Sequence, residues 1–251
     1  MRHNRNSYTP LEAFTHTQDM QPKSVSFPYL TDVGANFSGT DFSNYPMGRF
    51  PMKWTFTKNP AEAFQSTANC RIVPGGAISD RCLEISNLTG TLVDLYWTEN
   101  PPAVATNQEI LTLVEIVSHP APAGYAVIIG IILKHEGIFG VSTSAIIRGL
   151  GYSTTNAKCI NRLTYFGGSF TRGVTAFTWN TGTKYWIRYR IVGASILRTV
   201  WEFGTAEPAG VADSTNTFTS YPGLFFNLVG AVTRCHFYAT STNSASPIPL
   251  P

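Results

Sequence analysis

The clearest regularity in the chain has a period of two. Tyr185, Ile187, Tyr189 and Ile191 alternate with Trp186, Arg188 and Arg190. Successive side chains therefore fall on opposite faces of an extended segment, which predicts a half-buried antiparallel strand. Gly193-Ala194 turns the chain, and residues 196–203 return beside it. A two-residue turn and a three-residue turn place Arg198 on opposite faces, so the sequence leaves that register open. Residues 126–133 follow a different pattern, an unbroken apolar run in which Ile128, Ile129, Ile131 and Ile132 are β-branched. Such a run predicts a central strand covered on both faces, by a second sheet on one side and by a loop or neighbouring subunit on the other.

Further strand-like runs are short and punctuated. Residues 70–73 and 82–85 flank Pro74-Gly75-Gly76 and read as a hairpin. Residues 91–97 and 109–117 are separated by Pro101-Pro102, a pair no ladder interior tolerates. Weaker runs at 162–166 and 174–179 precede the hairpin, and 223–229 and 232–239 follow it. Helical periodicity and repeats are absent. About ten to twelve strands predict an all-β, two-sheet antiparallel β-sandwich over residues 35–251. Residues 1 to about 25 are polar and aperiodic; residues 1–34 read either as an extended N-terminal arm serving assembly contacts or as a merely floppy terminus.

Composition narrows the classes. Apolar residues make up 43% and aromatics 13% of the chain, which excludes a disordered chain. Charged residues are only 13%, about half the usual share. The 30 threonines are left to cover much of the surface. A net charge of +3 spread over 251 residues argues against a nucleic-acid partner. The longest apolar run is far shorter than a bilayer span, and no apolar stretch follows the N-terminal charges, so no membrane partner is expected. Cys70, Cys82, Cys159 and Cys235 show neither CxxC nor His-rich spacing. Free thiols in a reducing compartment are expected, with no structural metal.

Catalytic templates find no match. The chain has no phosphate-binding loop, nucleophile elbow or HExxH, and Gly149-Leu150-Gly151 lacks the third glycine of a dinucleotide site. Glycoside hydrolysis needs two carboxyl groups roughly 5 to 9 Å apart. Glu109 and Glu115 share a strand face, but six residues of strand span about 20 Å, and Leu113 and Val117 stand where partner acids would be. Asp32, Asp41 and Asn44 are as well suited to forming turns as to binding calcium. No catalytic residue, metal or cofactor is expected. What remains is a binding surface. Trp186, Arg188 and Arg190, with Arg198 and Trp201 on the partner strand, make either a glycan platform or a buried tryptophan layer beside solvated or subunit-contacting arginines.

The segment from Tyr185 through Trp201 to Gly204-Thr205-Ala206-Glu207-Pro208 resembles the concanavalin A-like (laminin-G/lectin-type) jelly rolls of tailed-bacteriophage virion proteins. Residues 37–54, with Asp41, Phe42, Gly48 and Trp54, are similar to the opening of that domain, and residues 237–247 to its closing strand. The resemblance implies a virion structural protein, made in the host cytoplasm, acting in capsid decoration or as a head-fibre or tail component. Its partners would be other virion proteins and further copies of itself, with contact to surface polysaccharide admitted. A carbohydrate-binding module without catalysis is the alternative, and a glycoside hydrolase the third. Within the signature, Trp201 would plug the sandwich, Gly204 permit a turn, Pro208 end strand pairing and Glu207 bond backbone amides.

Overall fold

A computed structural model describes residues 37–43, 45–48, 54–58, 70–86, 93–97, 108–120, 124–136, 144–166, 169–192, 195–215, 223–226, 230–241 and 247–251. The arm and the Pro101-Pro102 pair lie outside the described residues. Every regular element described is a strand: β1 (Phe37–Thr40), β2 (Trp54–Lys58), β3 (Cys70–Pro74), β4 (Arg81–Ile85), β5 (Val93–Trp97), β6 (Gln108–Ser118), β7 (Ala126–Glu136), β8 (Ser144–Tyr152), β9 (Lys158–Phe166), β10 (Ser169–Ala176), β11 (Lys184–Val192), β12 (Ser195–Glu202), β13 (Val211–Thr215), β14 (Gly223–Phe226) and β15 (Val232–Ser241). Strands β1, β2, β8 and β13 fall outside the apolar runs that the sequence marks.

All pairing is antiparallel. One sheet has the order β13-β12-β11-β6-β15-β4-β3, with β1 beside β15 as its eighth strand; the other runs β10-β9-β8-β7-β14-β5-β2. The predicted hairpin of β3 and β4 is present, with Cys70 opposite Ile85. In the β11–β12 hairpin Val192 faces Ser195, so the turn has two residues and the register left open by the sequence is decided.

The main core lies between the sheets. Ile72, Leu83, Ile110, Val114, Ile187 and Tyr189 of the eight-stranded sheet meet Ile128, Ile131, Ile146, Leu150, Leu224 and Phe226 of the other. Each buried aliphatic side chain of this kind contributes about 1.5–3 kcal/mol relative to exposure. The apolar run of β7 is the fourth of seven strands, central as expected. Two bulges, between Val127 and Ile129 and between Ile132 and Lys134, shift its phase. Ile128, Ile129, Ile131 and Leu133 therefore point to the core, while Val127 and Ile132 join Ile147, Leu163 and Phe225 on the opposite face. Gly130 and Gly149 pair across β7 and β8, and a Cβ on either would strike the other strand's backbone. That close approach, not nucleotide binding, accounts for the first glycine of Gly149-Leu150-Gly151.

The four cysteines are buried and unbridged. Burial pushes the thiols of Cys82 and Cys159 up to about 11, which keeps them protonated and unreactive at neutral pH.

Candidate functional site

On β11 the alternation sends Tyr185, Ile187 and Tyr189 into the core and leaves Trp186, Arg188 and Arg190 on the outer face of the eight-stranded sheet. The strand is nevertheless buried on both faces, not half-buried as its period predicts: Trp186 is 3% and Arg188 4% exposed. The cover is an apolar cluster outside the main core. In it Leu111 and Leu113 of β6, Trp186 of β11, Trp201 of β12, and Phe237 and Ala239 of β15 surround Ile248, with Ala77 and Ile78 packed alongside. Trp186 and Trp201 are direct cross-strand partners, their rings stacked with centroids 6.1 Å apart. Phe237 meets Trp186 edge-on at 5.6 Å. Phe203, just beyond β12, lies 6.3 Å from Trp186 and is 39% exposed.

Charge is organised around this cluster. Arg188 Nη1 donates to Glu109 Oε1 at 2.9 Å, and Arg188 Nη2 donates to the carbonyl of Ile248 at 2.7 Å. The Ile248 N–H donates to the same Glu109 Oε1 at 2.9 Å. Arg188 Nε is 3.1 Å from Glu207 Oε1, and Arg190 Nε is 3.5 Å from Glu109 Oε2. Burial pushes the Glu109 carboxyl up to about 7 against the opposing pull of Arg188, the Ile248 amide and Arg190.

A second row crosses five strands. Arg71 and Arg234 flank Glu84 at 3.6 and 2.9 Å, and His236 and Lys184 flank Glu115 at 3.0 and 4.0 Å. The hydrogen bond from His236 holds the Glu115 carboxyl below its ordinary value, and burial holds His236 below its own. Both groups hold protons less tightly when folded, so the stability they contribute is present at higher pH and lost on acidification. The loss begins as pH falls below 6.5 through the His236 range and continues below 4.5 through that of Glu115. Glu109, with its folded value raised, has the opposite sign: its contribution fades as pH rises from 4.5 through about 7. Comparing melting temperature against pH for the native chain and His236→Asn isolates the first effect. The variant should lose less stability between pH 6.5 and 5 than the native chain; identical slopes would show that His236 does not titrate on unfolding.

The structure separates the residues that the sequence grouped as a platform. Trp186, Arg188 and Arg190 share the outer face, but Arg198 does not. It pairs in register with Tyr189 and points between the sheets, 3.2 Å from Asp213. Period-two counting alone puts Arg198 and Trp201, three residues apart, on opposite faces. Trp201 does not plug the space between the sheets; it belongs to the outer cluster, and its Nε1 has no hydrogen-bond partner among the described residues. Glu207 bonds no backbone amide there and instead pairs with Arg188. Gly204 takes φ +86° in the turn after β12, and Pro208 lies in the unpaired stretch between β12 and β13. Asp41 accepts hydrogen bonds from the N–H and hydroxyl of Ser43, a turn-forming role; Asp32 and Asn44 lie outside the described residues. Glu109 and Glu115 share the outer face of β6 with Leu111 and Leu113 between them, each engaged by cations.

Two residues in these arrangements carry no sequence signal. Asp213, its side chain fully buried, gathers Arg148, Arg162 and Arg198 between the sheets. Ile248 stands alone between two prolines. Neither belongs to a periodic run. Asp213 lies 65 positions from Arg148, and Ile248 lies 60 and 139 positions from Arg188 and Glu109.

No family model matches the chain, and no curated protein matches it. Solved structures do. A Bacteroides ovatus mixed-linkage-glucan GH16 protein in complex with a G4G4G3G product is 12% identical, with 80% of this chain and 98% of that one covered and a TM-score of 0.51. The lectin UEA-II complexed with galactose is 7% identical, with 82% and 97% covered and a TM-score of 0.51. Against a xylan β-1,4-xylosidase from Bacillus halodurans the identity is 11% and the TM-score 0.48; the match covers 81% of this chain and 38% of that one. At these identities the likeness establishes the fold: a concanavalin A-like, two-sheet antiparallel sandwich.

Proposed function

We propose that this chain is a carbohydrate-binding β-sandwich that attaches to glycans without cleaving them. The supporting observation is the pairing of the fold with a solvent-facing aromatic at the end of a sheet strand. Phe203 is exposed beside the tryptophan pair, and the loop from Phe203 to Gly210 is exposed throughout. An open aromatic ring takes the apolar face of a sugar, while Lys184, whose carbonyl accepts from the Phe203 N–H at 2.9 Å, supplies a donor alongside. Trp186 and Arg188 lie beneath as a packed floor. The proteins of this fold complexed with galactose and with a glucan product make neutral hexose polymers the class to test. Absence of turnover is proposed because Glu109 and Glu115 are held by Arg188 and Lys184 and stand apart along β6, whereas hydrolysis needs an opposed pair.

The likeness of residues 185–208 to tailed-phage jelly rolls supports a second element of the reading: display on a virion, among other virion proteins. A glycan array probed with the full chain should show retention that falls about tenfold, roughly 1.4 kcal/mol, in Phe203→Ala. Melting temperature should not change, and no reducing sugar should be released from a polysaccharide panel. Retention on no glycan, or equal retention by the variant, overturns the binding reading; sugar release overturns the non-catalytic one.

A further inference from the structure

Among the described residues, one buried member of the outer cluster is not on the sheet. Ile248 is fully buried among Leu111, Leu113, Trp186, Trp201 and Phe237. Its backbone is gripped as completely as its side chain. The N–H donates to Glu109, the carbonyl accepts from Arg188, and Glu109 and Arg188 bond each other at 2.9 Å. This closed ring of charge-assisted bonds reads a single extended residue, with two side chains in place of a neighbouring strand. Pro247 and Pro249 flank it. Neither has an N–H, and both fix φ near the value of an extended left-handed helix, so such a segment loses little conformational freedom on docking. Together these features are those of a peptide receptor: an apolar pocket for one side chain, a polar clamp for its backbone, and preorganised flanks.

We propose that the outer face of the eight-stranded sheet is a docking site for a Pro-Ile-Pro segment, and that a second copy of this chain supplies that segment by exchanging residues 247–251. The groove and its occupant are encoded in the same chain, so what fits within one copy fits between two. Five residues, 242–246, join Pro247 to the end of β15, where Ser241 lies opposite Glu109. Moving the segment to a partner therefore breaks no pairing within the described sheets. Because each copy both gives and receives, exchange closes as a two-fold dimer. Docking within one copy competes at an effective concentration of order millimolar, so exchange emerges at high protein concentration or when the local groove cannot hold its own segment.

The test uses full-length chains. Ile248→Asp keeps the groove and disables the segment; Arg188→Met with Glu109→Gln keeps the segment and disables the groove. Neither should self-associate, and an equimolar mixture should give a 1:1 dimer by light scattering. In parallel, the peptide Ser-Pro-Ile-Pro-Leu-Pro, matching residues 246–251, is titrated into the Ile248→Asp chain. Saturable change in tryptophan emission is expected, at least about tenfold weaker for the same peptide with Asp in place of Ile. The peptide arm keeps the test decisive if the groove variant does not fold. A peptide without effect, or one that binds equally well with Asp, overturns the docking site. Peptide binding without a mixed dimer from two folded variants overturns the exchange.

Discussion

Asp213→Ala is expected to destabilise the sandwich by about 3–5 kcal/mol, the cost of stripping a buried ion cluster of the carboxylate its three arginines share. The carboxylate is fully buried and contacts three guanidiniums: Arg148 of β8, Arg198 of β12 and, at 3.9 Å, Arg162 of β9. Arg148 and Arg198 are themselves buried, with side-chain exposures of 2% and 9%. Other bonds position them. Arg148 Nη1 donates to the carbonyls of Ile147 and Leu163, and Arg198 Nη1 donates to Thr175. Those acceptors are neutral and cannot offset the desolvation of two cations. The cluster also joins the layers: β13 is the edge of one sheet, and β8 and β9 belong to the other. Asp213→Asn, which keeps the shape and an acceptor, should cost less than Asp213→Ala. Urea denaturation of the three chains checks both statements. A loss under about 1 kcal/mol for Asp213→Ala would mean that water or anions reach the arginines and that the cluster is not desolvated.

Trp179→Ala should cost a similar amount, about 3–5 kcal/mol, by the usual penalty for emptying a large aromatic site. Trp179 lies in the unpaired stretch between β10 and β11 and is fully buried. Its Nε1 donates to the carbonyl of Gly151 at 3.0 Å. Tyr152 and His119 meet it edge-on at 5.2 and 5.4 Å, and Lys158 Nζ sits 4.7 Å from the ring centre. One side chain thus packs together residues of β8, of β9 and of the segment after β6. Trp179→Phe, retaining most of the ring but losing the donor, should lose about 1–3 kcal/mol for the orphaned Gly151 carbonyl and the smaller volume. Thermal denaturation ranks the variants. If the Phe variant is as unstable as the Ala variant, the hydrogen bond outweighs the packing.

Two of the strands that the sequence hides, β8 and β13, share one reason. β8 carries Arg148 at a core-facing position and glycines at 149 and 151, and β13 presents Asp213 to the core beside exposed Val211 and Ala212. Each breaks its own hydrophobic pattern with a charge that the other helps to balance, and the two lie 65 residues apart. No window short enough to show a period contains both. By contrast β7 and β11 are legible because their periodicity is local, although the bulges that divide the β7 isoleucines between two clusters are not. The candidate site divides in the same way. Trp186, Arg188 and Arg190 could be grouped on one face by counting, whereas the pairing of Arg188 with Glu109 and Ile248 could not.

The all-β class, the antiparallel hairpins and the two-face sorting of β11 are written locally in the chain, because strand formation and side-chain alternation depend on neighbours one and two positions away. Which of those faces is covered, the inward turn of Arg198 and the closure of Ile248 over the tryptophan pair follow from the folded arrangement. Burial and charge pairing act between groups close in space, and in a sandwich of crossing connections such groups are commonly separated by 60 to 140 residues of chain.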